Sequence, residues 1–388
     1  GICDKINALG MSFGIWVEPE MVNVNSGLYR LHPDWAMDIP GCAHSEGRNQ
    51  RILDLCNPEV TEYIIDSMTK VFSSADIAYV KWDMNRIFSD YYSKYLKAQG
   101  RPQGETAHRY VMALGRIMRT LTERFPHILF EGCAAGGNRF DLGILCYFPQ
   151  IWASDNTDAV SRTYIQEGLS YGYPMSTVSA HVSACPNHQT LRVTPLSTRF
   201  NVAAFGICGY ECNLVDMTKA EKSEIKTQID IYKKWRRTMQ FGSFYRQRTG
   251  NIHQWTVVDE AAGRAVGLIM QELVHANTQN EEYYAVGLEP DAVYNFYNRP
   301  LKHNVKEFGD LINTVAPVHI RQGSLLHGMV AKFVTMPGET EKYELSGSML
   351  MNCGVRLKQA FAATGFSEEV RHFPDFASRL YFMEKISD

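Results

Sequence analysis

The sequence lacks the features that mark several large classes of protein. It has no dense block of Lys or Arg and a formal net charge of −3, so nucleic acid is not an expected partner. No apolar run approaches the roughly 18 residues of a membrane-spanning helix. The N-terminus also lacks the basic-then-apolar pattern of a signal peptide. We therefore expect neither a nucleic-acid nor a membrane partner.

Paired cysteines and phosphate-binding loops are missing as well. The nine cysteines are an odd number without a CxxC pair, which argues against a disulfide framework and a Cys-rich zinc site. No GxxxxGK(S/T) or GxGxxG segment is present, so Gly136 and Gly137 alone do not indicate a phosphate loop. We expect a reduced, cytoplasmic setting, no metal and no cofactor.

The composition is that of a globular protein, and the pattern of predicted strands and helices differs between the two parts of the chain. The 388 residues are 45% hydrophobic and 12% aromatic, enough for one large core and a smaller one. Up to about residue 250, strand-like runs alternate with helical stretches, which is typical of β/α units around a parallel sheet. Strand-like segments then follow one another, as in an antiparallel sandwich. The predicted fold is α/β: a (β/α)8 TIM barrel over 1–250 and a C-terminal antiparallel β-sandwich domain over 251–388.

The elements can be placed from hydrophobic period and turn residues. The predicted strands of the first part are 11–19, 77–83, 128–134, 150–155, 175–183 and 205–214. Its predicted helices are 58–71, 107–125, 159–171 and 219–239. In the second part, strands are predicted at HQWTVVDE (253–260), AVGLIMQEL (265–273), VYNFY (293–297), AKFVTM (331–336) and SRLYFMEKI (378–386).

Polar residues close nearly every strand of the first part. In a β/α barrel the active site lies at the carboxyl ends of the strands, so these residues are the site candidates. Residues two apart share a face of a strand, which pairs Trp16 with Glu18, Lys81 with Asp83, and Glu131 with Cys133. Carboxylates, a lysine and an indole in one cavity have the composition of a sugar site.

Ordinary structural roles compete with this interpretation. Asp155 or Asp158 could cap the following helix. Glu18 and Glu20 could pair with nearby arginines, namely Arg30, Arg48 or Arg51. A functional site is nevertheless favoured, because several strand ends carry chemically complementary groups: carboxylates, a lysine and an indole.

Five long motifs carry a family resemblance. They are GIWVEPEMVN, LHPDW, YVKWDMNR, EGCAAGGNRFD and IWASDNTDAVSR, followed by HVSACPNH, YECNL and GVRLKQAFAATGF. In these motifs the chain resembles glycoside hydrolase family 36, the retaining α-galactosidases. The resemblance implies a (β/α)8 barrel and double displacement through a covalent galactosyl-enzyme.

The resemblance also implies roles for individual residues. Asp83 would be the nucleophile and Asp155 the general acid/base, with Asp158 as the alternative. Lys81 would keep Asp83 ionised and donate to a sugar hydroxyl. The implied substrate-binding residues are Trp16, Arg48, Lys81, Asn85, Cys133, Gly136 and Trp152. Glu18, Asp158 and Arg162 would support these groups from behind.

Two departures from the family pattern stand out. Ala134 and Ala135 replace hydroxyl residues, and Asn138 stands where glycine is common, which predicts shifted selectivity rather than lost chemistry. The family's first barrel strand and N-terminal β domain have no counterpart before Gly1. We therefore expect an N-terminally truncated gene product.

Several functions stay open at this stage. The leading one is removal of terminal α-galactosyl residues from oligosaccharides of the melibiose and raffinose class, by a homo-oligomer that the resemblance implies is a tetramer. Alternatives are an α-N-acetylgalactosaminidase, a transglycosylase like the raffinose synthases, and an inactive sugar-binding remnant. A barrel lyase or isomerase with Lys81 as a Schiff-base amine is a candidate from another class.

Overall fold

The structure is a computed structural model that describes residues 1–274, 281–314, 316–357 and 373–386. The chain divides into two compact units, Gly1–Asp155 and Asn156–Asp388. Within the described residues, none of the helices combines the length and the hydropathy that crossing a bilayer requires.

The first unit alternates strands and helices. Its strands are β1 (Phe13–Val17), β2 (Met21–Asn23), β3 (Gln50–Ile52), β4 (Ile77–Trp82), β5 (Leu129–Gly132) and β6 (Gln150–Trp152). Its helices are α1 (Ile2–Ala8), α2 (Gly27–Leu31), α3 (Pro58–Phe72), α4 (Lys94–Ala98), α5 (Thr106–Arg124) and α6 (Leu142–Leu145), with 3-10 turns at Pro33–Trp35 and Gln103–Glu105. β1, β4, β5 and β6 are parallel neighbours in that order, and β2 and β3 form a small antiparallel pair.

Helix α3 shows how the local sequence builds this layer. The Asn57 side chain accepts a hydrogen bond from the amide of Glu59, and Pro58 occupies the first turn, where its missing N–H costs nothing. Val60 and Ile64 are buried one turn apart on the face that packs against α5. The apolar side chains of α3 and α5 share one core with one set of the strand residues, so the alternate strand residues are left for a polar face.

The second unit combines further parallel strands with an antiparallel region. Its helices are α7 (Ala159–Leu169), α8 (Leu196–Ala203), α9 (Lys219–Phe241), α10 (Leu325–Phe333) and α11 (Gly347–Asn352), with 3-10 helices at Met175–Thr177 and Val305–Thr314. Its strands are β7 (Val178–Ser183), β8 (Ile207–Glu211), β9 (Ser243–Thr249), β10 (Ile252–Asp259), β11 (Arg264–Gln271), β12 (Glu282–Tyr283), β13 (Val293–Asn298), β14 (Lys302–Asn304), β15 (Thr335–Pro337), β16 (Lys342–Ser346), β17 (Val355–Arg356) and β18 (Ser378–Lys385).

Pairing in the second unit follows the two patterns of strands and helices predicted from the sequence. β7 and β8 are parallel. Strands β16, β13, β18, β11, β10 and β9 form one sheet in that order, and every neighbouring pair is antiparallel. Two-stranded antiparallel sheets join β12 to β17 and β14 to β15. Parallel β/α units followed by an antiparallel β region confirm the predicted fold class; the predicted boundary at 250 stays a prediction.

One predicted strand is wrong in its first half. AKFVTM (331–336) begins inside α10, and only Thr335–Pro337 is extended. The Ser324 side chain caps α10 by accepting from the amide of His327, and the helix that starts there continues through Phe333. The motif GVRLKQAFAATGF lies mostly outside the described residues, from 358 onward.

Candidate active site

Four parallel strands bring a row of polar side chains to one face of the first unit's sheet. Trp16 on β1 is in register with Lys81 on β4, Lys81 with Glu131 on β5, and Glu131 with Gln150 on β6. Residues in register on neighbouring strands point to the same face, and Asp83 shares it because it follows Lys81 by two positions. The row is therefore the floor of a site at the carboxyl ends of the strands.

Asp83 is buried and held by several donors. Its Oδ2 accepts from Asn85 Nδ2 at 2.7 Å and Trp16 Nε1 at 3.1 Å, and its Oδ1 accepts from the amide of Met84 at 2.8 Å. Burial acts to raise the pKa of Asp83, but hydrogen bonds from Cys133, Asn85, Trp16 and the Met84 amide outweigh it and lower the pKa. The result is an ionised carboxylate of fixed orientation, which suits a nucleophile.

A second carboxylate is linked to Asp83 through one amide. Asn85 Nδ2 also donates to Glu18 Oε1 at 2.6 Å, so both amide protons of Asn85 are used by carboxylates. Glu18 in turn accepts from Gln50 Nε2 at 3.1 Å and pairs with Arg48 Nη1 at 3.5 Å. The expected pairing of Glu18 with an arginine is confirmed. The sugar contact predicted for Asn85 would therefore have to come from its carbonyl oxygen.

Lys81 pairs with Glu131 and not with Asp83, so the expectation that Lys81 keeps Asp83 ionised is wrong. Its ammonium lies 3.3 Å from Glu131 Oε1 and 4.3 Å from the centroid of the Trp152 ring. Glu131 is the registered neighbour of Lys81 on β5, which brings its carboxylate to the lysine directly. Neutral donors rather than Lys81 therefore keep Asp83 ionised.

Asp155 follows β6 and is exposed. Its Oδ1 accepts from Trp152 Nε1 at 2.8 Å, so the buried indole fixes one side of the carboxyl group. A group that donates a proton to a leaving oxygen and later takes one from water needs this contact with solvent.

The loop 133–139 packs against the backbone that leads to Asp155. Gly136 has a φ of +85°, and a Cβ there would lie 3.2 Å from Ser154 Cα. A Cβ on Gly137 would lie 2.7 Å from the carbonyl oxygen of Ala153. Asn138 Nδ2 closes the loop by donating to the carbonyl of Ala134 at 2.8 Å. These glycines permit the close approach, while the substrate contact of Gly136 stays a prediction.

Asp158 and Arg162 lie in the second unit. Asp158 is the N-cap of α7: it accepts from the amide and hydroxyl of Ser161 at 3.0 and 2.9 Å, and it pairs with Arg192. The capping interpretation is thus confirmed for Asp158, and Asp155 is not the cap. Arg162 donates to the carbonyl of Ser179 at 2.5 Å, and burial lowers its pKa to about 10. Their predicted support of Asp155 stays a prediction.

Two buried carboxylates, Glu20 and Glu131, are not among the predicted site residues. Glu20 pairs with Arg139 at 2.8 Å and accepts from Trp82 Nε1 and the Tyr110 hydroxyl, so its expected pairing with Arg30, Arg48 or Arg51 is wrong. Nothing local points to a partner 119 residues away. A site position for Glu131 could have been predicted, because it shares a strand face with the predicted site residue Cys133.

Family profiles and sequence comparison show which known proteins the chain resembles. The melibiase family profile matches residues 1–242, and the glycosyl hydrolase family 36 C-terminal domain matches residues 252–383. The alpha-galactosidase AgaA of Geobacillus stearothermophilus is 48% identical over 297 residues, which is 76% of this chain and 40% of that protein. Alpha-galactosidase 1 of Pediococcus pentosaceus is 45% identical over 292 residues, 74% of this chain and 40% of that protein.

Solved structures of the same family match this chain over its whole length. The crystal structure of the Geobacillus AgaA, a GH36 alpha-galactosidase, superposes with a TM-score of 0.81 at 39% identity, covering 100% of this chain and 46% of that one. The chain thus spans less than half the length of the relatives it matches. The chain belongs to the melibiase family, glycoside hydrolase family 36.

Proposed function

We propose that this chain hydrolyses terminal α-D-galactosyl residues of oligosaccharides by double displacement, with Asp83 as nucleophile and Asp155 as general acid/base. The observation that carries the proposal is the set of donors that holds the buried Asp83 ionised and oriented beside the polar row of strand residues. Membership of a family whose relatives are named alpha-galactosidases supports the same reaction.

The groups fit the two half-reactions. Asp83 attacks the anomeric carbon with a lone pair while the glycosidic bond breaks, and Asp155 gives its proton to the departing oxygen. Water then attacks the galactosyl-enzyme as Asp155 takes the water's proton, which frees Asp83 and the sugar. The chemistry requires one carboxyl ionised and one protonated at the start. The donors to the buried Asp83 suit the ionised state, and the exposed position of Asp155 gives it the access to water that the second step needs.

The substrate class follows from the relatives. Variants of the Geobacillus enzyme have been solved in complex with raffinose and with stachyose. We infer that this chain takes α-galactosides of that class, with Lys81 and Trp152 near the sugar. A Schiff-base lyase is disfavoured, because the ammonium of Lys81 is in an ion pair with Glu131 and carries no lone pair. The homotetramer implied by the resemblance stays a prediction, to be checked by light scattering.

The proposal is tested by assaying p-nitrophenyl α-D-galactoside and raffinose with the wild type, Asp83→Ala and Asp155→Ala. We expect Asp83→Ala to lower kcat by at least about a thousandfold. Asp155→Ala should lose less on the nitrophenyl substrate, whose leaving group needs little protonation, and azide should partly restore turnover as α-galactosyl azide.

Two outcomes would overturn it. A folded wild type that cleaves neither substrate is not an α-galactosidase. Normal activity in Asp83→Ala would show that Asp83 is not the nucleophile. The same conclusion would follow if 5-fluoro-galactosyl fluoride formed an adduct that mass spectrometry maps to another residue.

A further inference from the structure

We propose that Glu131 is a positioning residue for Lys81: it sets the ammonium against the face of Trp152, and Tyr79 and Gln150 hold Glu131 in place. The proposal rests on the function proposed above, since Lys81 matters only if a sugar binds beside it. Glu131 is 1% exposed, so it reaches no bulk solvent and acts through its neighbours.

The two oxygens of Glu131 face different partners. Oε1 lies 3.3 Å from Lys81 Nζ. Oε2 accepts from Gln150 Nε2 at 2.6 Å and from the Tyr79 hydroxyl, and Gln150 Nε2 also lies 3.1 Å from that hydroxyl. The carboxylate is therefore locked on one side and presents its other oxygen to the lysine.

Tyr79 has the protonation state that its role as a donor needs. Burial, and then the Glu131 charge, raise the pKa of Tyr79, so its hydroxyl stays a neutral donor. A nearby cation and hydrogen-bond donors offset the burial of a carboxyl group, and Glu131 has both.

Lys81 is connected to Asp155, the proposed acid/base, through Trp152. Lys81 Nζ lies 4.3 Å from the Trp152 ring centroid, and Trp152 Nε1 donates to Asp155 Oδ1 at 2.8 Å. One chain of contacts thus runs from Glu131 through Lys81 and Trp152 to Asp155. A long lysine side chain has many rotamers, and an ion pair on one side with an indole face on the other selects among them.

A double-mutant cycle separates positioning from mere structural support. The variants are Glu131→Gln, Lys81→Met and their combination, with kcat and KM measured on p-nitrophenyl α-D-galactoside. Alone, Glu131→Gln should lower kcat/KM about tenfold to a hundredfold, mainly through KM, because a contact to a sugar hydroxyl exists in the ground state as well as the transition state. In the Lys81→Met background it should cost nothing further.

The matched control is Glu62→Gln, which removes a carboxylate charge from an exposed ion pair with Arg116 and should leave both constants unchanged. Losses that multiply in the double variant would show that Glu131 acts independently of Lys81 and would overturn the proposal. If Glu131→Gln does not fold, Tyr79→Phe replaces it; it removes one donor to Glu131, and its several-fold loss should vanish when Lys81 is Met.

Binding of 1-deoxygalactonojirimycin, measured by calorimetry, makes the test independent of turnover. If the wild type binds this iminosugar without hydrolysing galactosides, the proposed function fails, and the same cycle on Kd still decides the role of Glu131. A folded wild type that does neither overturns both proposals.

Discussion

At the scale of single residues, the site depends on which group satisfies each charge. Hydrogen bonds from neutral groups keep Asp83 ionised, while the ammonium of Lys81 pairs with Glu131. Under the proposed mechanism, Asp83 therefore attacks without first having to break a tight ion pair. Each donor to Asp83 is also a means of tuning its pKa.

Trp16→Phe tests that tuning. The change keeps an aromatic ring but removes the indole N–H, 3.1 Å from Asp83 Oδ2. Because this donor stabilises the charged form, its loss should raise the pKa of Asp83, and activity should fall off at a higher pH on the acid side. We expect a shift of about half a unit to one unit in the acid limb of the kcat/KM profile. An acid limb that does not move would contradict the assigned cause.

At the scale of elements, the site consists of the carboxyl ends of four parallel strands and the loop 133–139. The registered row across β1, β4, β5 and β6 supplies the floor, and the loop 133–139 packs against the segment 153–155 that carries Asp155. The buried pair of Glu20 and Arg139 ties this loop to the segment after β1, since Arg139 Nη2 also donates to the carbonyl of Cys133 at 3.3 Å.

Gly137→Ala should disturb this packing. The new Cβ would lie 2.7 Å from the carbonyl oxygen of Ala153, and a backbone atom cannot rotate away as a side chain does. We expect a loss of about 1–3 kcal/mol in the free energy of unfolding, measured with urea, and a lower kcat as Asp155 shifts.

The matched control is Gly168→Ala in α7, where a Cβ meets nothing within 4 Å. It should stabilise the protein by about 0.4–1 kcal/mol, because alanine has less freedom in the unfolded chain. Equal effects of the two substitutions would contradict the steric explanation.

At the scale of the whole molecule, a buried ionic cluster connects helix α7 to the antiparallel sheet inside the second unit. His253 on β10 is fully buried between two carboxylates, with Nδ1 2.9 Å from Glu167 Oε1 on α7 and Nε2 2.8 Å from Glu272 Oε1 after β11. Only the protonated ring can donate to both. Stability should therefore depend on the charge of one histidine.

The pH dependence of unfolding tests this cluster. Burial acts to lower the pKa of His253, but the hydrogen bonds and charges of Glu167 and Glu272 outweigh it and raise the pKa. A raised folded-state pKa gives a contribution that is complete below the unfolded value of about 6.5 and is lost as pH rises through the folded value. The cost of His253→Gln should therefore be larger at about pH 6 than at about pH 9 in urea unfolding.

The exposed His188 supplies the control, because His188→Gln should show the same small effect at both pH values. A cost of His253→Gln that grows with pH would contradict the charged-histidine interpretation.

Much of the framework was predictable because its causes are local. The four helices α3, α5, α7 and α9 begin within one residue of their predicted starts, since caps and hydrophobic period lie within the same few turns. The six strands predicted before residue 250 are found but are shorter, and in most of them the polar residues at the carboxyl end belong to the loop. AKFVTM was misassigned because a short apolar run suits both states until its cap is considered.

The sequence by itself determined the alternation of strands and helices, the polar strand ends, the shared face of Lys81 and Asp83, and the family. Each of these depends on residues that are close together in the chain or on short sequence motifs. Only the tertiary structure decided which carboxylate each cation serves: Lys81 pairs with Glu131 and Arg139 with Glu20. The reason is physical, because Coulomb attraction and hydrogen bonding act over a few ångströms, and the fold decides which distant residues come that close. Strand register does so for Lys81 and Glu131, and the packing of the loop 133–139 does so for Arg139 and Glu20.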